Sequence, residues 1–262
     1  MRYWRRMNRF GLSPKRCLAL MMLILAFAWH WGCTKQERVR SDFELYQGGM
    51  NLFEKKKYLD ARKQFQDIEV LYPESRYLPL ARVGIANTYY EEGAYDEAAV
   101  EYRKVLEFYP LGKLSDWAQY RLGMCHFKQM LSEDRDQEET QEACSAFETF
   151  LAQYPKSPLV NEAREKYQIC KDRLGGHELS IAKFYLKSKS YEVAIARLQE
   201  ILSHYPQFSR KDEVFYYLAK AAGKSGKRQL EKEAVQTLIS QYPNSRFTQR
   251  LFMEKKELKK VN

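Results

Sequence analysis

The side chains of this sequence that could do chemistry are its thiols and imidazoles. Cysteine stands at positions 17, 33, 125, 144 and 170, and histidine at 30, 126, 177 and 204. A metal site needs several ligands brought together by close spacing, and the sequence has neither a CxxC pair nor a Cys/His cluster. Hydrolysis would call for a G-x-S-x-G elbow or an HExxH helix, and phosphoryl chemistry for a Gly-rich loop; none of these is present. His126, His177 and His204 are scattered, the first expected to pack and the other two to cap helices or face solvent. Cys125 and Cys144 fall on consecutive helices, where they either pair in an oxidising compartment or pack reduced as small apolar groups. The residues therefore read as those of a non-enzyme, without metal or cofactor.

The elements that hold these residues repeat. Tyr-Pro occurs five times, at Tyr72-Pro73, Tyr109-Pro110, Tyr154-Pro155, Tyr205-Pro206 and Tyr242-Pro243, with prolines 37, 45, 51 and 37 residues apart. Self-similarity at this period marks a stacked array. Each pair closes an amphipathic segment: Ala61, Phe65, Ile68 and Tyr72; Ala98, Tyr102, Val105 and Tyr109; Ala143, Phe147, Phe150 and Tyr154. Spacing of i, i+4, i+7 and i+11 is one face of a helix. Proline cannot continue the helix and disfavours it in the residue before. A serine follows each step (Ser75, Ser115, Ser157, Ser209, Ser245) and is expected to accept from the free amides of the next helix. Small residues such as Gly49, Ala86, Gly123 and Ala182 let two helices approach closely. This pattern resembles the tetratricopeptide repeat (TPR). It implies an all-α, TPR-like helical-hairpin solenoid of five repeats, with an extra helix, roughly Val160 to Leu174, between repeats three and four. A polar loop, Ser132 to Gln141, lengthens unit three, and Gly175-Gly176 predicts a break or hinge before unit four. Phe247 to Lys260 reads as a capping helix.

The N-terminus has a different texture. Arg2, Arg5, Arg6, Arg9, Lys15 and Arg16 precede the apolar run Cys17 to Ala28, and Gly32-Cys33 ends it. Residues 1–32 read as a signal peptide. Without those six basic residues, Lys+Arg falls from 44 to 38 against 34 Asp+Glu, so the net charge drops from +10 to +4. The basic balance belongs mostly to the signal, which argues against nucleic acid as a partner. Cys33 resembles the acylated cysteine of bacterial lipoproteins, although His30 and Trp31 stand where that family has Leu and a small residue; ordinary cleavage near Gly32 is the alternative. That resemblance implies a covalent lipid on Cys33, and Thr34 after it implies sorting to the outer membrane. Residues 33–41 would form the lipidated N-terminus and linker. Its eight residues after Cys33 span on the order of 27 Å when extended.

From Asp134 onward the resemblance narrows. Asp134-Arg135-Asp136, Tyr154-Pro155-Lys156-Ser157, Lys171-Asp172-Arg173-Leu174 and Ser180-Ile181-Ala182-Lys183-Phe184-Tyr185 are similar to the BamD family of TPR lipoproteins, with Gln137 where that family has Pro. The likeness runs over roughly residues 33–250. It implies a non-catalytic lipoprotein scaffold on the periplasmic face of the outer membrane. Implied partners are the POTRA region of a BamA-type β-barrel insertase, other assembly-complex lipoproteins and unfolded β-barrel precursors. Residues 42–159, repeats one to three, would be the substrate side. Residues 160–262, the extra helix, repeats four and five and the capping helix, would dock the insertase. Arg197 matches a family arginine tied to the POTRA contact; Asp172 and Arg173 match the same motif or pair within the extra helix. The first helices are expected to line a groove through Phe43, Tyr46, Met50, Phe53, Val83, Asn87, Tyr90, Tyr120 and Met124, whose aromatic and Met side chains suit an extended segment. The same residues also fit helix–helix core. Other readings are a TPR adaptor in peptidoglycan or envelope constriction, a DNA-uptake lipoprotein, and an enzyme.

Overall fold

A computed structural model describes the backbone over residues 38–261 and side chains over residues 38–254. The signal segment, Cys33 and the start of the linker lie outside the described residues. Among the described residues there are eleven helices and no strand: α1 (Asp42–Glu54), α2 (Tyr58–Leu71), α3 (Leu78–Glu92), α4 (Tyr95–Phe108), α5 (Ser115–Gln129), α6 (Glu138–Gln153), α7 (Val160–Lys187), α8 (Tyr191–His204), α9 (Lys211–Ser225), α10 (Arg228–Gln241) and α11 (Arg246–Val261). From α1 to α10 each helix packs against the next, and α11 packs on α9. The result is the solenoid of helical hairpins that the repeat spacing predicts.

The second helix of each hairpin buries the face read from the sequence. Ala61, Phe65 and Ile68 of α2 are fully buried, as are Ala143, Phe147 and Phe150 of α6. In α4, Ala98, Tyr102 and Val105 are equally enclosed. Each Tyr of a Tyr-Pro step ends its helix by donating its amide to the carbonyl four residues back, at 2.9–3.0 Å. Its own carbonyl then accepts from an amide three residues on, at 2.9–3.1 Å. Four of the five hairpin turns are made by single left-handed residues: Gly93 and Gly226, both at φ 80°, and Lys56 and Lys189, at φ 58° and 62°; the third hairpin turns through the polar loop after α5. A left-handed lysine costs on the order of 1 kcal/mol that glycine does not.

The serines behave in three ways. Ser75, Ser157 and Ser245 accept from the amides of Tyr77, Leu159 and Phe247, as expected. Each also donates its hydroxyl to an aspartate at the start of an earlier first helix: Asp42, Asp116 and Asp212. An Asp–Ser pair thus ties the entry of one hairpin to the entry of the next element. Ser115 instead turns its hydroxyl back to the carbonyls of Tyr109 and Gly112. Ser209 contributes its backbone amide, which donates to Asp172.

The expected hinge is absent. The extra helix does not stop near Leu174 but runs on as the first helix of the fourth hairpin, giving α7 28 residues. Gly175 and Gly176 lie inside it and are buried. A Cβ on Gly175 would come within 2.8 Å of the Phe208 ring, and one on Gly176 would collide with the Glu133 carboxylate and the Arg210 guanidinium. These glycines allow close approach, at a helix-propensity cost of about 1 kcal/mol each. The same device recurs at the Phe65 ring, which sits between Gly49 of α1 and Gly84 of α3. At the other end α11 forms as predicted, burying Phe247 and Leu251 against Tyr216 and Leu238.

Candidate protein-binding surfaces

The thiols are packing groups. Cys125, Cys144 and Cys170 are free and buried. Burial pushes the first and last up to about 12 and Cys144 up to about 11. The disulfide considered between Cys125 and Cys144 is not formed. His126 packs, with Nδ1 2.8 Å from Glu139 and Nε2 3.1 Å from Arg103. His204 is exposed. His177 neither caps its helix nor points to solvent: its Nδ1 donates to the carbonyl of Glu133 at 2.7 Å. No group of His, Cys, Asp and Glu suited to a metal occurs among the described residues.

The aromatic set divides. α1 has a full partner only in α2, so its outer face stays open. Phe43 is 49% exposed, and Tyr46, Met50 and Phe53 are half-buried. Tyr46 stacks on Tyr77, with ring centres 5.3 Å apart, and Phe43 meets the same ring at 5.7 Å. Phe53 lies edge-on to Tyr58. These residues follow one another along α1, and Tyr46, Met50 and Phe53 also pack on the core cluster around Phe65 and Ile68. Val83, Tyr90 and Tyr120 do not line an open groove. They are 6%, 9% and 4% exposed, because α3 and α5 are each flanked on both sides by second helices that cover their lateral faces. Arg121 covers the Tyr90 ring at 3.6 Å, and the Tyr120 hydroxyl donates to Glu162. Asn87 is half-buried and accepts from the Tyr102 hydroxyl. Met124 is half-buried between two core clusters.

α3 is gripped from both sides. Arg62 of α2 lies 3.6 Å over the Tyr89 ring, bonds Thr88 at 2.9 Å and pairs with Glu92. Arg121 of α5 lies over Tyr90, bonds Tyr102 at 3.1 Å and pairs with Glu91 at 3.1 Å. Two adjacent tyrosines and two adjacent glutamates thus serve opposite neighbours.

The residues matched to the docking motif sit around α7. Asp172 accepts from the Ser209 amide at 3.0 Å and from Gln168 at 3.3 Å. Arg173 donates to the carbonyl of Leu131 at 2.9 Å. Neither pairs with the other; each holds a loop. Arg197, on α8, is 42% exposed and contacts Glu178 and Glu200 at 3.4 and 3.3 Å. The loop after α5 is organised by residues that sequence reasoning missed. Gln137 is 5% exposed. Its amide nitrogen donates to the carbonyls of Ser132 and Arg135 at 2.7 and 2.9 Å, and its oxygen accepts from Thr140. Glu133 pairs with Arg210 at 2.7 Å across 77 residues. The only sequence signal for this arrangement was the polar insertion beside the Gly-Gly pair.

The model of the outer membrane lipoprotein family YfiO matches residues 39–237. The outer membrane protein assembly factor BamD of Neisseria meningitidis serogroup A is 26% identical over 243 residues, covering 88% of this chain and 91% of that protein. The protein of that name from Rickettsia prowazekii is 26% identical over 203 residues, covering 78% and 81%. Among solved structures, the TPR2AB domain of yeast Sti1 in its pHSP90 complex aligns with a TM-score of 0.46 at 13% identity, covering 79% of this chain and 80% of that one. With the family model spanning most of its length, and the first four hairpins, the loop and α7 inside the matched span, the chain belongs to the YfiO family of outer membrane lipoproteins.

Proposed function

We propose that this protein is a non-catalytic assembly factor for outer-membrane β-barrel proteins, held on the periplasmic face by a lipid on Cys33. The carrying observation is the nearly end-to-end match to proteins named as outer membrane assembly factors. In this reading α7, its loop and α8 dock on the POTRA region of a BamA-type insertase, with Arg197 offering a half-exposed guanidinium to that contact. Asp172 and Arg173 act by fixing the docking surface, since their side chains already hold the Ser209 amide and the Leu131 carbonyl. The open stripe of Phe43, Tyr46, Met50 and Phe53 receives segments of unfolded precursor, because aromatic rings and thioether offer large, adaptable contacts. Other assembly-complex lipoproteins join the same complex.

Affinity purification of the native protein from membranes tests this function. Co-purification of a β-barrel insertase is expected, and Arg197→Ala should reduce its recovery without changing the helical content of the chain. A preparation that reproducibly lacks the insertase would refute the assembly role.

A further inference from the structure

One edge of the solenoid carries apolar residues in its first two hairpins and polar ones afterwards. Immediately before the five Tyr-Pro steps stand Leu71, Phe108, Gln153, His204 and Gln241, all exposed. Val70 is 78% and Leu71 54% exposed; Phe108 is 57% and Leu111 97% exposed. The two pairs are neighbours in space, because Arg82 pairs with Glu69 at 2.7 Å and lies 4.1 Å over the Phe108 ring. Side chains of this type in contiguous exposure mark an interaction surface.

The position of the chain entry bears on what covers them. Asp42, the first residue of α1, bonds Ser75 at 2.6 Å, which places the start of the solenoid beside the Tyr72-Pro73 turn and its Val70 and Leu71. Eight residues separate Asp42 from Cys33, an extended reach of roughly 30 Å at most. A lipid on Cys33 therefore keeps Asp42 and the turn beside it within that distance of a bilayer, with the second turn one hairpin farther on, and the later, polar part of the edge is the part farther from the tether along the array. We propose that Val70, Leu71, Phe108 and Leu111 form a membrane-contacting edge, seated in the interfacial layer of the lipid leaflet that holds the anchor. Aromatic and aliphatic tips suit that layer. The segments around both turns carry four acids and two bases (Glu69, Glu74, Arg76; Glu107, Lys113, Asp116), a balance that gives no attraction to anionic lipid, so the contact is apolar in origin. The inference rests on the lipid-anchor reading above.

The test uses the full chain isolated from membranes and placed in phosphatidylethanolamine–phosphatidylglycerol vesicles. An environment-sensitive NBD dye is attached at Leu111→Cys or, in the equivalent place of the fourth step, at Gln207→Cys; the native thiols of the solenoid are buried. The dye at 111 should shift to the blue and be quenched at least about twofold by brominated acyl chains, while the dye at 207 stays water-like. In the Leu71→Gln/Phe108→Gln background the effect at 111 should fall by about half or more. Water-like emission at both positions, or equal burial of both, overturns the proposal. Intact mass separates this from failure of the anchor. If Cys33 bears no acyl chain the lipid reading falls, and the same dye comparison is made on Cys33→Ser protein held to nickel-chelating lipid by an N-terminal histidine tag.

Discussion

Substituting Gly84 by alanine sets two effects of similar size against each other. Alanine is favoured over glycine in a helix by about 1 kcal/mol, so local propensity alone predicts that Gly84→Ala stabilises α3. The surroundings predict the reverse. The new methyl would lie 2.7–2.9 Å from three carbons of the Phe65 ring. The ring cannot retreat, because its opposite edge faces Gly49, where a Cβ would sit only 2.5 Å away. Overpacking of this kind costs about 1–3 kcal/mol. Less the propensity gain, the net destabilisation is about 1 kcal/mol, equivalent to roughly fivefold faster opening. Gly49→Ala acts from the other side. The double substitution removes the slack that each single one uses, so the two should couple unfavourably by about 1 kcal/mol or more. Hydrogen exchange of the α1–α3 amides is the suitable assay, since a terminal hairpin of a stacked array opens locally. Slower exchange in Gly84→Ala, together with additivity in the double variant, would refute the account of Phe65 as a ring clamped between two backbones.

Four further outcomes follow from the geometry. The Asp42 carboxyl is held below its ordinary value of 3.8, chiefly by the Ser75 hydroxyl. A depressed folded-state pKa contributes stability that is present above the unfolded value and lost as pH falls through the folded one. Protection of the Tyr77 amide should therefore decline below about pH 4, and Asp42→Asn should abolish that dependence. Gln137→Ala removes three hydrogen bonds, to Ser132, Arg135 and Thr140; the two that pin the loop carbonyls are worth about 1 kcal/mol each, so trypsin should cleave after Arg135 roughly thirtyfold faster; an unchanged rate would mean that Arg173 and His177 hold the loop unaided. At pH 8 thiols titrating near 11 and 12 are ionised in no more than about one molecule in a thousand; iodoacetamide should reach Cys125, Cys144 and Cys170 only at the rate of unfolding. Lys189→Gly should raise stability by about 0.5–1 kcal/mol in urea melts, by relieving its left-handed backbone.

What could be read from the sequence was whatever had a period. Ala61, Phe65 and Ile68 announce a buried face because one helix turn recurs every 3.6 residues, and Tyr-Pro announces a stop because proline acts on its immediate neighbour. The helical register of Phe43, Tyr46, Met50 and Phe53 on α1 could be read from the same spacing. Contacts joining distant positions had no such signature. The Asp–Ser pairs span 33 or 41 residues, and Glu133–Arg210 spans 77. The placement of Val83, Tyr90 and Tyr120 in the core depends on a third helix that periodicity within α3 or α5 cannot register. Gly175-Gly176 was misread for a related reason. Propensity treats glycine as a helix breaker, whereas here its missing side chain admits Phe208, Glu133 and Arg210.

The continuity of α7 makes the chain two kinds of object in one. Up to Tyr154 each hairpin ends at its own proline, so a hairpin inserted, deleted or exchanged there would leave its neighbours' helices whole. Between Val160 and Lys187 that modularity ceases. A single rod of roughly 42 Å, at 1.5 Å per residue, serves as the outer wall of the third hairpin and the inner wall of the fourth. A twist imposed at its Asn161 end would be delivered to the Phe184 end with little loss, as torque passes along a shaft. Lineages could thus vary the number of units ahead of this helix while inheriting the span from α6 to α8 as one indivisible piece.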